Sequence, residues 1–115
     1  MSSILDTIKK LLGITPELIA FDDDIIVHIN SVFSTLFQLG VGPSTPFIIE
    51  DRSATWEDFM EDYTDLSSVK TYIFLKVKLA FDPPSNGALI EAMKGQIAEL
   101  EWRFTITPDF REEEK

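Results

Sequence analysis

Few residues in this sequence are placed to do chemistry. His28 is the only histidine. It lies between Ile26 and Ile29 in a run of helical periodicity, four residues after Asp24, and no serine or cysteine nucleophile pattern accompanies it. A catalytic triad needs a nucleophile, a base and an orienting acid in mutual reach, so His28 is expected to be a part-buried helix residue beside Asp24. With no cysteine, the chain has no thiolate nucleophile, disulfide or cysteine-based zinc site. Asp22, Asp23 and Asp24 lack the loop-plus-glutamate spacing of a calcium hand. They stand where a helix start favours negative charge, by ~0.3–1 kcal/mol each.

Other carboxylates are abundant, but none forms a pair in an apolar stretch that would drive two pKa values apart. The five glycines build neither a phosphate loop nor a dinucleotide fingerprint. Lys70, Lys76 and Lys78, interleaved with Tyr72 and Phe74, have the flavour of a single-strand nucleic-acid groove. On so apolar a segment they read instead as the solvated rim of a buried helix. The sequence therefore calls for no enzyme, no metal and no cofactor.

The elements around these residues are mostly helical. Ser3 caps a short amphipathic helix bearing Ile4, Leu5, Ile8, Leu11 and Leu12, which Gly13 closes. Thr15-Pro16-Glu17 suits a brief turn. Asp22 or Asp23 is expected to cap a long helix whose apolar positions run from Ile25 to Leu39. Gly40-Val41-Gly42-Pro43 stops it and opens a connection to Ala54, longer than the usual 2–8 residues between bundled helices. Within that connection Phe47-Ile48-Ile49 is β-prone. Thr55 to Asp58 resembles a capping box for a short helix with Trp56, Phe59 and Met60. Asp65 opens a helix that is apolar round most of its circumference, from Val69 to Phe81, as befits a central or interfacial element. Asp82-Pro83-Pro84 ends it. Asn86 caps a last helix with Leu89, Ile90, Met93, Ile97, Leu100 and Phe104 at 3–4 spacing. After Phe104 the period changes: Thr105-Ile106-Thr107 is β-prone and a charged end follows. The fold class is mainly α, a small bundle of four to five helices with a long loop containing a short β-prone segment. The helical domain is expected over residues 1–104 and an extended C-terminal tail over 105–115.

At 115 residues, 44% hydrophobic and 26% charged, the chain suits one globular domain. Its N-terminus carries Lys9 and Lys10 and no small-residue cleavage site, so it does not read as a signal peptide. No stretch is apolar enough to span hydrocarbon. Twenty acids against ten bases give a net charge of −10, which repels phosphate and disfavours direct DNA binding.

Four features in this order resemble the small head–tail connector proteins of long-tailed bacteriophages, also called adaptor or head-completion proteins. They are a short first helix; Phe21-Asp22-Asp23-Asp24-Ile25 opening a helix that ends Leu39-Gly40-Val41-Gly42; Val69-Lys70-Thr71-Tyr72-Ile73 in a helix ending Phe81-Asp82-Pro83-Pro84; and a final helix ending Glu99-Leu100-Glu101-Trp102-Arg103. The resemblance covers nearly the whole chain. It implies a virion protein, made in the host cytoplasm, that assembles as a ring, usually dodecameric. Such a ring joins the portal to the tail-side stopper and continues the DNA channel without binding DNA specifically. It implies no catalytic residue. A small acidic regulator or inhibitor of a basic protein surface is the alternative, carried by the net charge.

Within the connector reading, Phe47, Ile48 and Ile49 are candidate partner-binding residues, able to pair as a strand with a neighbour or to cover the core end. Ile106 and Phe110 are spaced apolar anchors in a tail that a partner orders. Glu57, Asp58, Glu61, Asp62 and Asp65 cluster around one short helix and are candidates to line the channel, where acids would keep phosphate from adhering.

Overall fold

The computed structural model describes residues 3–59 and 66–106. Among them the chain forms five helices and no sheet: α1 (Ile4–Leu12), α2 (Asp22–Gln38), α3 (Trp56–Phe59), α4 (Leu66–Phe81) and α5 (Gly87–Ile106). The architecture is the small mainly α bundle that the periodicity calls for.

The helix ends show why these segments fold locally. The Ser3 hydroxyl accepts a hydrogen bond from the Asp6 amide, and Gly13 takes the left-handed conformation after α1, which costs a residue without Cβ little. The Thr55 hydroxyl accepts from the Asp58 amide while the Asp58 carboxylate accepts from the Thr55 amide, a reciprocal box that starts α3. Asn86 Oδ1 accepts from the amides of Ala88 and Leu89 at the start of α5. At α2 the expected aspartate cap is replaced. Phe21 holds the cap position without a side-chain bond, and Asp22, Asp23 and Asp24 all fall in the first turn. Asp22 has a different partner: its carboxylate lies 2.7 Å from the ammonium of Lys9.

α4 is the centre of the bundle, packed against α1, α2 and α5. Val69, Tyr72, Ile73, Leu75 and Val77 on α4 are buried, against Ile25, Ile29, Val32, Phe33 and Leu36 on α2 and Ile4, Leu5 and Ile8 on α1. Burying each large apolar side chain is worth ~1.5–3 kcal/mol, so most of the stability resides in this three-helix core. α5 is attached more lightly. It touches α4 through Met93, Leu100 and Phe104, while the Tyr72 hydroxyl, fully buried, donates to Glu101 Oε2 at 2.6 Å. Asp82-Pro83-Pro84 separates α4 from α5, and Lys78 pairs with Asp82 across the last turn.

The extended tail expected from Thr105 does not start at that residue, and the rest of that segment lies outside the described residues. Thr105 and Ile106 continue α5, the Thr105 hydroxyl donating to the Trp102 carbonyl. β-branched residues bond well enough within a helix when its preceding turns are docked, as Phe104 docks here.

Candidate functional site

The long connection between α2 and α3 is tied down along its length. Gly40 and Gly42, both at positive φ, reverse the chain after α2, and a Cβ on Gly42 would stand 2.7 Å from Phe59 Cε1. That close approach admits only glycine without movement of a buried ring. Phe47 turns inward and meets Phe33 and Phe59 in a three-ring cluster with centroids 4.8–5.4 Å apart. Ile49 is also inside, 2% exposed, while Ile48 between them is 64% exposed. This alternation is that of an extended chain, although no strand forms there among the described residues.

A side chain supplies what a neighbouring strand would. Asn30 Nδ2 donates to the Ile49 carbonyl at 2.9 Å, and the Ile49 amide donates to Asn30 Oδ1 at 2.8 Å. Further on, Arg52 meets the Asp6 carboxylate at 3.1 Å, and the Ile4 amide donates to the Ala54 carbonyl. Ser3 bridges Thr55, and Trp56 Nε1 donates to Thr7 Oγ1 at 3.0 Å. The loop is thus part of the fold, its inner face sealing the core end and its outer edge open.

Of the candidate channel acids, Glu57 and Asp58 are exposed on α3. Asp58 has a structural occupation as well, the Thr55 capping bond, as the capping-box pattern of Thr55 to Asp58 calls for. Glu61, Asp62 and Asp65 lie outside the described residues, as does Phe110. Ile106 is 61% exposed at the end of α5, one turn from Trp102 at 62%. A second group of exposed apolar side chains stands at the entry to α2: Ile19, Phe21 and Val27.

His28 lies edge-on to Phe81, ring centroids 6.4 Å apart, and lines a surface hollow with Asp24, Asp82 and Phe21. Among the described residues no group of histidine and carboxylate side chains is arranged to hold a metal ion, and no helix is long and apolar enough to cross a membrane. What the structure offers is surface: an open extended edge and two exposed apolar groups on different elements.

The family model described as phage connector protein matches residues 4–110, from the first residue of α1 to beyond the end of α5. The chain belongs to the phage connector family. Its role is therefore structural, at the head–tail junction of the virion. No curated protein and no solved structure gives a significant match to this connector.

Three features of the connector escaped sequence reasoning. Lys9 counts in the sequence only as a charge within the N-terminal apolar pattern, yet it is 1% exposed, and its partners come from the following turn. Asn30 reads as a polar interruption in a helix. Trp102 falls outside the 3–4 spacing of α5's packed face, and that absence was the available signal that it points outward.

Proposed function

We propose that the connector assembles into a ring, the dodecamer that the resemblance implies, seated between the portal and the tail-side stopper with DNA passing through it. The family match over residues 4–110 carries this reading, and the distribution of exposed apolar side chains supports it. A closed ring of identical subunits uses heterologous contacts, in which one surface of each copy meets a different surface of the next. Trp102 and Ile106 on α5 form one candidate surface, and Ile19, Phe21 and Val27 at the start of α2 form another. Carboxylates on α3 would face the channel and the segment after Ile106 would reach the portal. The regulator alternative retains the net charge of −10 as its sole support.

The test uses two single variants, Trp102→Glu and Val27→Glu, both at exposed positions that leave the core intact. Wild-type protein mixed with portal rings is expected to form one defined portal-bound species by native mass spectrometry. Each variant alone should fail to do so. Equal amounts of the two together should stop at a pair, because one sound interface remains between unlike copies. Wild-type protein that ignores the portal, and instead binds a nucleic-acid enzyme in a salt-sensitive way, would replace this reading with that of an acidic regulator.

A further inference from the structure

We propose that the outer edge of residues 47–51 is a docking site for an extended, basic segment of another protein, which would add to it as a β-strand. In an extended chain, successive residues direct their backbone groups to opposite edges. The inward edge is closed at Ile49, whose amide and carbonyl are both bonded to Asn30. The backbone groups of Ile48 and Glu50 belong to the opposite edge, and among the described residues neither has a hydrogen-bond partner. The segment is held rigid by the Phe47 ring cluster and by buried Ile49, so ordering it costs the incoming strand little. A pinned, half-satisfied strand is the template that β-augmentation uses: backbone bonds give affinity, and alternate side chains give selectivity.

Charge identifies the occupant. The hollow beside this edge is lined by Glu50, Asp51 and Asp58 together with Ile48, and among the described residues no cationic side chain lines it. Arg52, the nearest base in sequence, is turned away to Asp6. Hydrogen bonds from the Ser53 hydroxyl and amide hold the Asp51 carboxyl below its usual range, so it stays ionised. Nucleic acid is repelled by such a lining. A second copy of the same edge would set Glu50 and Asp51 against their own counterparts, like charges across a ladder. On an added strand whose lysine or arginine residues fall on the face shared by Ile48 and Glu50, the charged heads satisfy the Glu50 carboxylate while their aliphatic stems cover Ile48. This inference stands apart from ring formation and survives whether or not the ring forms.

The probe is a heptapeptide of alternating lysine and valine, titrated into isotope-labelled full-length protein and followed by NMR. The expected result is chemical-shift change centred on the Ile48 and Glu50 amides, with slowed hydrogen exchange at both. N-methylation of the peptide's edge-facing amides should weaken binding at least about tenfold, since it removes backbone bonds and keeps the charge. Glu50→Lys should weaken it by a similar factor with an unchanged circular dichroism spectrum. Equal binding of the methylated peptide, equal binding of a glutamate–valine peptide, shifts confined to other surfaces, or self-association through this edge would each overturn the proposal.

Discussion

The ammonium of Lys9, on the last turn of α1, lies 2.7 Å from the carboxylate of Asp22 on the first turn of α2 and inside the protein. The same ammonium donates to the carbonyls of Pro16 and Leu18 at 3.2 and 2.8 Å. One side chain thereby fixes both ends and the middle of the turn joining two helices. Asp22 Oδ1 meets no other hydrogen-bond donor among the described residues, so the lysine is its whole support.

Replacing one partner alone should be costly, because it strands the other. Lys9→Met is expected to lower stability by about 3 kcal/mol, the low end for a broken buried pair because Asp22 keeps 22% exposure. Adding Asp22→Leu should recover more than half of that loss. Urea denaturation of the two variants measures it. A double variant no more stable than Lys9→Met would show that the lysine acts through the two carbonyls rather than through Asp22.

Gly42 and Gly13 separate backbone strain from collision. Both have positive φ, at 104° and 83°, but an added Cβ meets nothing at Gly13 and meets Phe59 at Gly42. Gly13→Ala should cost about 1 kcal/mol, the strain alone. Gly42→Ala should cost about 1–3 kcal/mol more through overpacking. Thermal melts compare them directly. Equal losses would mean that the Phe59 ring yields freely.

Burial, reinforced by the hydrogen bond and charge of Glu101, raises the pKa of the Tyr72 phenol well above its ordinary value of 10.0. The folded protein therefore holds this proton more tightly than the unfolded chain. The associated stability is fully present below pH 10 and is lost as pH rises toward the folded-state value. Tyr72→Phe should cost about 1 kcal/mol at neutral pH, where the bond to Glu101 is lost, and should flatten the decline above pH 10. Denaturation midpoints at pH 8, 10 and 11 check the sign.

Truncation after Ile106 should leave folding untouched, since Phe104 is the last buried residue of α5. Incorporation into particles is expected to fall sharply if the removed segment docks on the portal. Quantifying the protein in purified virions decides it, and normal incorporation would remove the docking role.

Glu57→Lys, Glu61→Lys and Asp62→Lys combined should slow DNA ejection if these acids face the channel, because new cations hold phosphate by counterion release. The slowing should fade with added salt. Ejection unchanged across low and moderate salt, in particles that assemble normally, would assign the acids to solvation.

Much of this fold was legible because its signals are local. Gly13, Asn86 and Asp82-Pro83-Pro84 act on their own neighbours, and the apolar spacing of α2 and α4 is dense enough to survive polar interruptions. Lys9 was illegible because its acceptors are carbonyls positioned by a turn that the sequence does not spell out. The aspartate cap at α2 failed for the same reason, Asp22 being engaged by a residue thirteen positions earlier. Core cover by Phe47 and Ile49 leaves Ile48 outward, because alternate side chains of one extended segment serve opposite faces. Which surfaces meet which neighbours is a property of the assembly, and one chain's periodicity carries only the outward residues that such contacts require.

The buried Lys9 also bears on how the chain is made. Its helix leaves the ribosome well before its main partner, α4, which begins only at Leu66. During that interval the apolar stripe of Ile4, Leu5 and Ile8 is exposed, and a charge within such a stripe opposes premature association with other nascent chains. The charge of Lys9 stays in that stripe until Asp22 and the turn between them have been made, and is hidden only once they fold around it.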